Sequence, residues 1–487
     1  MIKKPFRGAF ILSLMAGVFM LLFAASSILA NTGTSACIIV EPNKVIDCPY
    51  HPLSKEKHNY VFLDMRTGHT RAADINNPSA PADIILDPLP AKTKWSPGVY
   101  TGVSPNGKAI IVSRSHMKCA PFPKPKGTAC SYGRPVAWLA LHVPDSKTAL
   151  SGGAWRHINL AYSYGLNSEI HNWSTWLHED MALFNGLVKP KGKWAMRQQE
   201  NNAQIYAVKI TNNSIQVKPY APAQILRKNC LTGRVSAQPS TQGKQCFDGQ
   251  RLSIVRRCYN EPNTAENWAW WNNKSFDGTG GACLAGMGTM SVPVLKTYVT
   301  ELDENCVPKQ SFEQMKPVRK PPTDNIYRQL GHVPEWGDML AAISPDGKYI
   351  AVATNMGNIE GDPDNACGGF YYSLADGNNP ASGNAARQTH YCALDSDLTC
   401  KGDHDSMTMV PTTLHPPEST PAPDFVTLND GSMSLLYNFY WNQTGGKKQT
   451  DWRRLDFMQN PPALVNLDTM TYGASISAIH WRAQFSE

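Results

Sequence analysis

An all-β fold is predicted by three observations. A unit of tight turn and apolar strand recurs along the 487 residues. Glycine and proline are abundant, at 36 each, while only 17% of residues are charged, a balance that suits a loop-rich β protein. Twelve cysteines lie beyond an N-terminal apolar stretch, and most fall in or beside the long connections between the predicted strands.

The N-terminus has the layout of an export signal. Lys3, Lys4 and Arg7 precede an uncharged stretch from Gly8 to Ala30, and small polar residues follow. Residues 1–30 are read as a signal peptide cut after Ala30, although Ile28 is bulkier than the residue a signal peptidase prefers. The alternative is an uncleaved anchor, because the stretch is long enough to cross a hydrocarbon core of roughly 30 Å. Membrane association is expected only in that case. Removing Lys3, Lys4 and Arg7 brings the net charge from +7 to about +4, too mild to suggest nucleic acid.

The compartment follows from the signal together with the even number of cysteines. An exported chain with cysteines 37, 48, 119, 130, 230, 246, 258, 283, 306, 367, 392 and 400 is expected to form disulfides in a periplasmic or secreted setting. No CxxC or Cys/His spacing supports haem attachment or structural zinc. Close sequential neighbours suggest local staples: Cys37 with Cys48, Cys119 with Cys130, Cys230 with Cys246, and Cys392 with Cys400. Residues 31–58, with Cys37 and Cys48, form an N-terminal extension ahead of the repeats.

The repeat is clearest at 103–112, VSPNGKAIIV, and 343–352, ISPDGKYIAV. Proline presets φ, Asn or Asp caps the turn, and glycine takes the positive φ, so each copy reads as strand, tight turn, strand. Weaker copies stand at 247–254 (FDGQRLSI) and 428–437 (LNDGSMSLLY), with a degenerate one at 177–184 (LHEDMALF). After each copy comes a further aromatic or β-branched strand: 136–143, 205–211, 297–303, 370–376 and 451–457. An orphan strand at 59–68 precedes the first copy and another, SISAIHW at 475–481, follows the last. Pairing these two ends would complete a sixth unit and close residues 59–487 into a ring.

SPDGKYIAVAT with FYYSLADG, and SPNGKAIIVSR with VAWLALHV, resemble the WD40-like repeat of TolB-type β-propellers. The resemblance implies a single β-propeller, with six blades expected and seven the alternative. Residues 31–95 are too short and too proline-rich to supply the α/β domain that TolB carries, so the role of TolB itself is not implied. A β-sandwich or a multidomain β chain competes with this reading, because copies stand about 70 to 96 residues apart and a compact blade needs roughly 40 to 45.

In a propeller the short turns share one face. The long connections at 115–135, 186–203, 258–294, 355–369, 439–450 and 378–425 are expected together on the other, as disulfide-stapled binding loops. Two constellations are assigned to that loop-rich face. Trp268, Trp270 and Trp271 in ENWAWWNNKSFDG offer apolar faces for stacking on a sugar or anchoring a protein partner. The alternative is that they pack the loop onto its blade. Asp395, Asp397, Asp403, His404 and Asp405 around Cys392 and Cys400 could supply oxygen ligands to calcium, although a solvated acidic loop is the competing reading and the EF-hand pattern is not met. His171 and His178, with Glu179 and Asp180, form a lesser cluster.

No GxSxG elbow, HExxH or phosphate-binding loop is present. The expected function is therefore a non-catalytic propeller that binds a protein or glycan through its loop-rich face, with no certain cofactor. The alternative is a metal-dependent extracytoplasmic hydrolase or lyase, using calcium or another divalent ion at the channel mouth.

Overall fold

The computed structural model describes residues 37–54, 58–64, 67–96, 99–117, 132–144, 152–164, 168–169, 174–188, 203–211, 214–220, 230–258, 265–269, 289–292, 296–311, 314–318, 337–355, 387–401, 407–410, 423–442 and 448–467. Their regular structure is almost entirely antiparallel strand, so the all-β expectation holds. Among the described residues helix is confined to one turn, α1 (Leu160–Ser163), capped by the Asn159 side chain, and a short 3-10 segment at Ala91–Thr93.

The chain opens with the hairpin β1 (Ile38–Glu41) and β2 (Val45–Pro49), stapled by the disulfide Cys37–Cys48. A first sheet follows, β3 (Tyr60–Leu63), β4 (Thr70–Ala73) and β5 (Asp83–Leu86). The second sheet contains β6 (Val99–Val103), β7 (Ala109–Met117), β8 (Tyr132–Val143) and β9 (Ala154–Asn159). Its outer strand β9 pairs with β2, so the N-terminal extension covers what would otherwise be an open sheet edge.

The third sheet is β10 (Ser168–Glu169), β11 (Ser174–His178), β12 (Met181–Val188), β13 (Ala203–Thr211) and β14 (Ser214–Pro219). The fourth joins β15 (Cys230–Ala237), β16 (Gln250–Cys258) and, beyond a separate ribbon of β17 (Ala265–Ala269) and β18 (Thr289–Val292), β19 (Lys296–Leu302). The fifth is β20 (Gly337–Ile343), β21 (Tyr349–Asn355), β22 (Arg387–Ala393) and β23 (Thr408–Met409). The sixth is β24 (Asp424–Thr427), β25 (Met433–Asn442), β26 (Lys448–Asp456) and β27 (Ala463–Asn466).

The repeated turns have one hydrogen-bond scheme. Ser104 Oγ accepts from the Ala109 amide at 2.9 Å, and Asn106 Oδ1 accepts from Ser104 Oγ at 2.7 Å and from the Lys108 amide at 3.0 Å. Ser344, Asp346, Lys348 and Tyr349 reproduce it at 2.6 to 3.0 Å. Gly107 and Gly347 take φ of 68° and 72°, the left-handed region in which a side chain is strained. The degenerate copy has His178 in the role of the cap: its Nδ1 accepts from the Asp180 amide at 3.1 Å.

Alternation explains why the strand after each turn is a continuous apolar run. Ile110 and Val112 enter the core shared with the first sheet, whereas Ala109 and Ile111 enter the core shared with the third. Both faces of β7 are thus buried, and each fully buried Ile or Val contributes about 1.5–3 kcal/mol. The pattern continues from sheet to sheet. The third packs on the fourth through Leu183, Ile205, Leu252 and Ile254; the fourth on the fifth through Val255, Val299 and Ile350; the fifth on the sixth through Ala351 and Leu435. The core around Tyr60, Val61 and Phe62 also takes in Val426, Leu436 and Trp452, so the first sheet packs on the last as well as on the second.

Four expectations need correction or lie outside the described residues. The partner of β21 is β22 at 387–393, not the expected 370–376, which lies outside the described residues, as does 475–481. Cys246 bonds Cys306 rather than Cys230. The register explains this: Gln250 stands opposite Leu302, which brings the residues before β16 and after β19 together, while Cys230 stands opposite Cys258 at the far end of the same sheet. Cys37–Cys48 and Cys392–Cys400 form as expected, and Cys119 and Cys130 lie outside.

Candidate functional site

The end of the sheets that carries the short turns is joined from one sheet to the next. Asn106 Nδ2 donates to Glu179, the Glu179 amide to the Gly243 carbonyl, Arg251 Nη1 to the Gly347 carbonyl, and the Asn429 amide to Asn76 Oδ1. These contacts hold the turn end together. His178 belongs to it, buried, with its pKa pushed down to about 4 by that burial. Its neighbour Asp180 pairs with Lys244. His171 lies outside the described residues.

The acidic segment after Cys392 also emerges at the turn end, which corrects its placement on the loop-rich face. Strand β22 runs back toward the turn that precedes β21: Ala393 stands opposite Tyr349, and the Leu394 amide donates to the Lys348 carbonyl. Asp395 is committed to its own turn, accepting from the Asp397 and Thr399 amides and from Thr399 Oγ1, each at 2.9 Å. Asp397 takes a 2.8 Å hydrogen bond from Lys316 Nζ. Asp403, His404 and Asp405 lie outside the described residues. Trp268 stands opposite Met290 in the β17–β18 ribbon, and Trp270 and Trp271 lie outside.

A constellation that no motif announced lies where the N-terminal extension meets the first sheet. Thr70 pairs with Leu86, so His69 and Asp87 leave β4 and β5 side by side. The extension delivers His51 to the same place, its carbonyl held by Trp155 Nε1 at 3.2 Å. His51 Nε2 lies 3.2 Å from Asp87 Oδ2, and His69 Nε2 lies 3.6 Å from Asp87 Oδ1. One carboxylate therefore stands between two imidazoles, all partly open to solvent, with side-chain exposures of 40%, 29% and 25% for His51, Asp87 and His69.

Their environments push the two histidines apart. The hydrogen bond that His51 donates to Asp87 raises the pKa of His51, with burial opposing it and the Asp87 charge assisting. Burial lowers that of His69, against the pull of Asp87 and with help from Arg71. One ring therefore holds its proton more firmly than an ordinary histidine and the other gives it up more readily. Among the described residues no group of three or more His, Cys, Asp and Glu side chains is arranged to hold a metal.

No family model and no curated protein matches the chain. Among solved structures it is similar to a Synechocystis apocarotenoid oxygenase mutant, at 11% identity and a TM-score of 0.34, over 87% of this chain and 68% of that one. It is also similar to a Cellvibrio cellulosa α-L-arabinanase complexed with arabinohexaose, at 8% and 0.32, over 78% and 98% of the two chains. A third is a B. megaterium levansucrase mutant, at 10% and 0.34, over 88% and 92%. TM-scores this low assign neither a reaction nor a substrate. These comparisons give no support to the expectation of a non-catalytic binding protein, which is not carried further.

Proposed function

We propose that the chain is an extracytoplasmic hydrolase or lyase built on a six-bladed β-propeller, with His51 as general acid and His69 as general base about Asp87. The observation that carries the catalytic reading is the single carboxylate shared by two imidazoles whose proton affinities are displaced in opposite directions. Asp87 hydrogen-bonds the His51 ring and lies beside that of His69, whose Nδ1, buried without a partner among the described residues, is the position a substrate proton would have to reach. General acid–base catalysis by such a pair contributes typically 10²–10⁴-fold to rate.

The propeller reading is supported by six sheets that each pack on two neighbours, the first on the last included, and by the TolB-like turn units. Export is supported by the apolar segment at 8–30 and by three formed disulfides, which persist in oxidising compartments.

The test is a pH–rate profile on p-nitrophenyl esters and glycosides, and on polyuronates followed by the ultraviolet absorbance of a new double bond. The rate should rise as His69 loses its proton, below the ordinary histidine value of about 6.5, and fall as His51 loses its own above it. His69→Gln should abolish the rising limb and His51→Gln the falling one, each with a loss of about 10²-fold or more. Unchanged rates in both variants would remove the cluster from catalysis. Elemental analysis of the same preparation decides whether a divalent ion takes part: one ion per chain and loss of rate with chelator would show it.

A further inference from the structure

Strand alternation gathers an unusual set of side chains on one face of the second sheet. Val112, Trp138 and Asn159 stand in register across β7, β8 and β9, and His157 lies two residues before Asn159, opposite Ala140. This face packs with Leu89 and Trp95 of the segment that links β5 to β6; the rings of Trp95 and Trp138 meet edge to face at 5.2 Å. Trp138, His157 and Asn159 are fully buried and Trp95 nearly so.

Several polar atoms of this layer find no partner among the described residues. Trp95 Nε1, Trp138 Nε1, Asn159 Nδ2 and both ring nitrogens of His157 have no hydrogen-bond partner among the described residues. Asn159 Oδ1 is already used, accepting from the Tyr162 amide that begins α1. The Arg114 guanidinium lies in the same layer, donating from Nη1 to the Ser96 carbonyl at 3.1 Å. Burial and this cation hold His157 well below its usual range, so its ring is neutral, with one donor and one acceptor. Each buried group left unpaired costs about 1–3 kcal/mol, which calls for an occupant.

The chemistry of the set selects what that occupant is. Two indole N–H groups, an amide NH₂ and an imidazole N–H are all donors, against a single imidazole acceptor. A water molecule must also place its own two hydrogens, whereas an anion needs donors only. We propose that this layer between the second sheet and the β5–β6 segment holds a small monovalent anion of the chloride class, bound by Trp95, Trp138, Asn159 and His157. The site is independent of the His51–Asp87–His69 cluster and does not rest on the catalytic reading.

The test begins with the unmodified protein. Equilibrium unfolding is followed in sodium chloride, sodium bromide and sodium gluconate at equal ionic strength. Above half-saturation, each tenfold rise in halide should shift the unfolding constant about tenfold toward the native state, with no such shift in gluconate. Crystals grown in bromide should show an anomalous peak between the two indole nitrogens. Trp138→Phe removes one donor and keeps an aromatic, smaller ring, and Asn159→Asp keeps the helix cap while replacing the amide donor with a carboxylate oxygen. Both variants should lose at least tenfold in halide affinity. Identical unfolding in halide and gluconate, or ordered water without bromide at the site, would overturn the assignment. The bromide crystal decides it even where a variant fails to fold.

Discussion

Acidification should destabilise the fold through His178, and the size of the effect can be worked from the turn it caps. Its Nδ1 accepts from the Asp180 amide, and its ring is buried at the junction of the third and fourth sheets, where Gln250 Nε2 and the Ser240 amide both donate to the Leu177 carbonyl. Protonation would remove that acceptor and bury a charge. The folded pKa of about 4 lies below the ordinary value near 6.5. Between the two the unfolded chain therefore binds the proton and the native one does not. Stability is fully present above pH 6.5 and is lost as pH falls toward 4, by about 2–3 kcal/mol at pH 4.5. His178→Asn supplies an Oδ1 that can accept from residue 180 as Asn106 does from Lys108, and it does not titrate. Urea unfolding at pH 7 and pH 4.5 should show the variant close to the parent at neutral pH and more stable in acid by that amount. An equal acid-induced loss in both proteins would refute the reasoning.

The disulfides and turn glycines give further expectations. Cys246–Cys306 closes a loop of 60 residues and Cys37–Cys48 one of 11. A double serine variant of the first pair should therefore cost about 4 kcal/mol, and of the second about 3, measured by denaturant midpoints. Gly347→Ala should destabilise by more than Gly431→Ala. Both sites have positive φ, but a Cβ at 347 would stand 2.6 Å from Gln238 Oε1, whereas one at 431 meets nothing within 4 Å. The strain alone costs roughly 1–2 kcal/mol, so the difference in melting temperature between the variants isolates the clash.

The repeat made much of the fold legible. Ser-Pro-Asn/Asp-Gly-Lys encodes a turn whose hydrogen bonds are internal to six residues, and alternation after it fixes which side chains face each neighbouring core. Four of the five expected partner strands match for this reason. The fifth failed because FYYSLADG and RQTHYCA are both strand-like, and local propensity cannot choose between them across a long insertion. The Cys246–Cys306 bond and the His51–Asp87–His69 cluster were illegible for a shared reason. Each joins residues from separate connections, and only the pairing of Gln250 with Leu302, or of Thr70 with Leu86, brings them together. The histidines stand in the unremarkable segments YHPL and GHTR, so no spacing rule would have singled them out. The acidic segment was legible as a cap-rich turn, and strand direction alone decided at which end it emerged.

The contact between the first and last sheets has a consequence for how the protein is made. Arg454 reaches the Ile75 carbonyl across 379 residues, and Asn429 reaches Asn76 across 353. A chain synthesised from its N-terminus must carry Tyr60, Val61 and Phe62 without their final neighbours until nearly all of it has been completed. Contacts so distant in sequence are slow to form and leave apolar strands open to wrong partners in the interval. The N-terminal hairpin faces no such wait for its own bond, since Cys37 and Cys48 can join as soon as both are exposed to an oxidant. Growth conditions that delay completion of the chain should therefore lower the yield of native protein, while leaving this first staple intact.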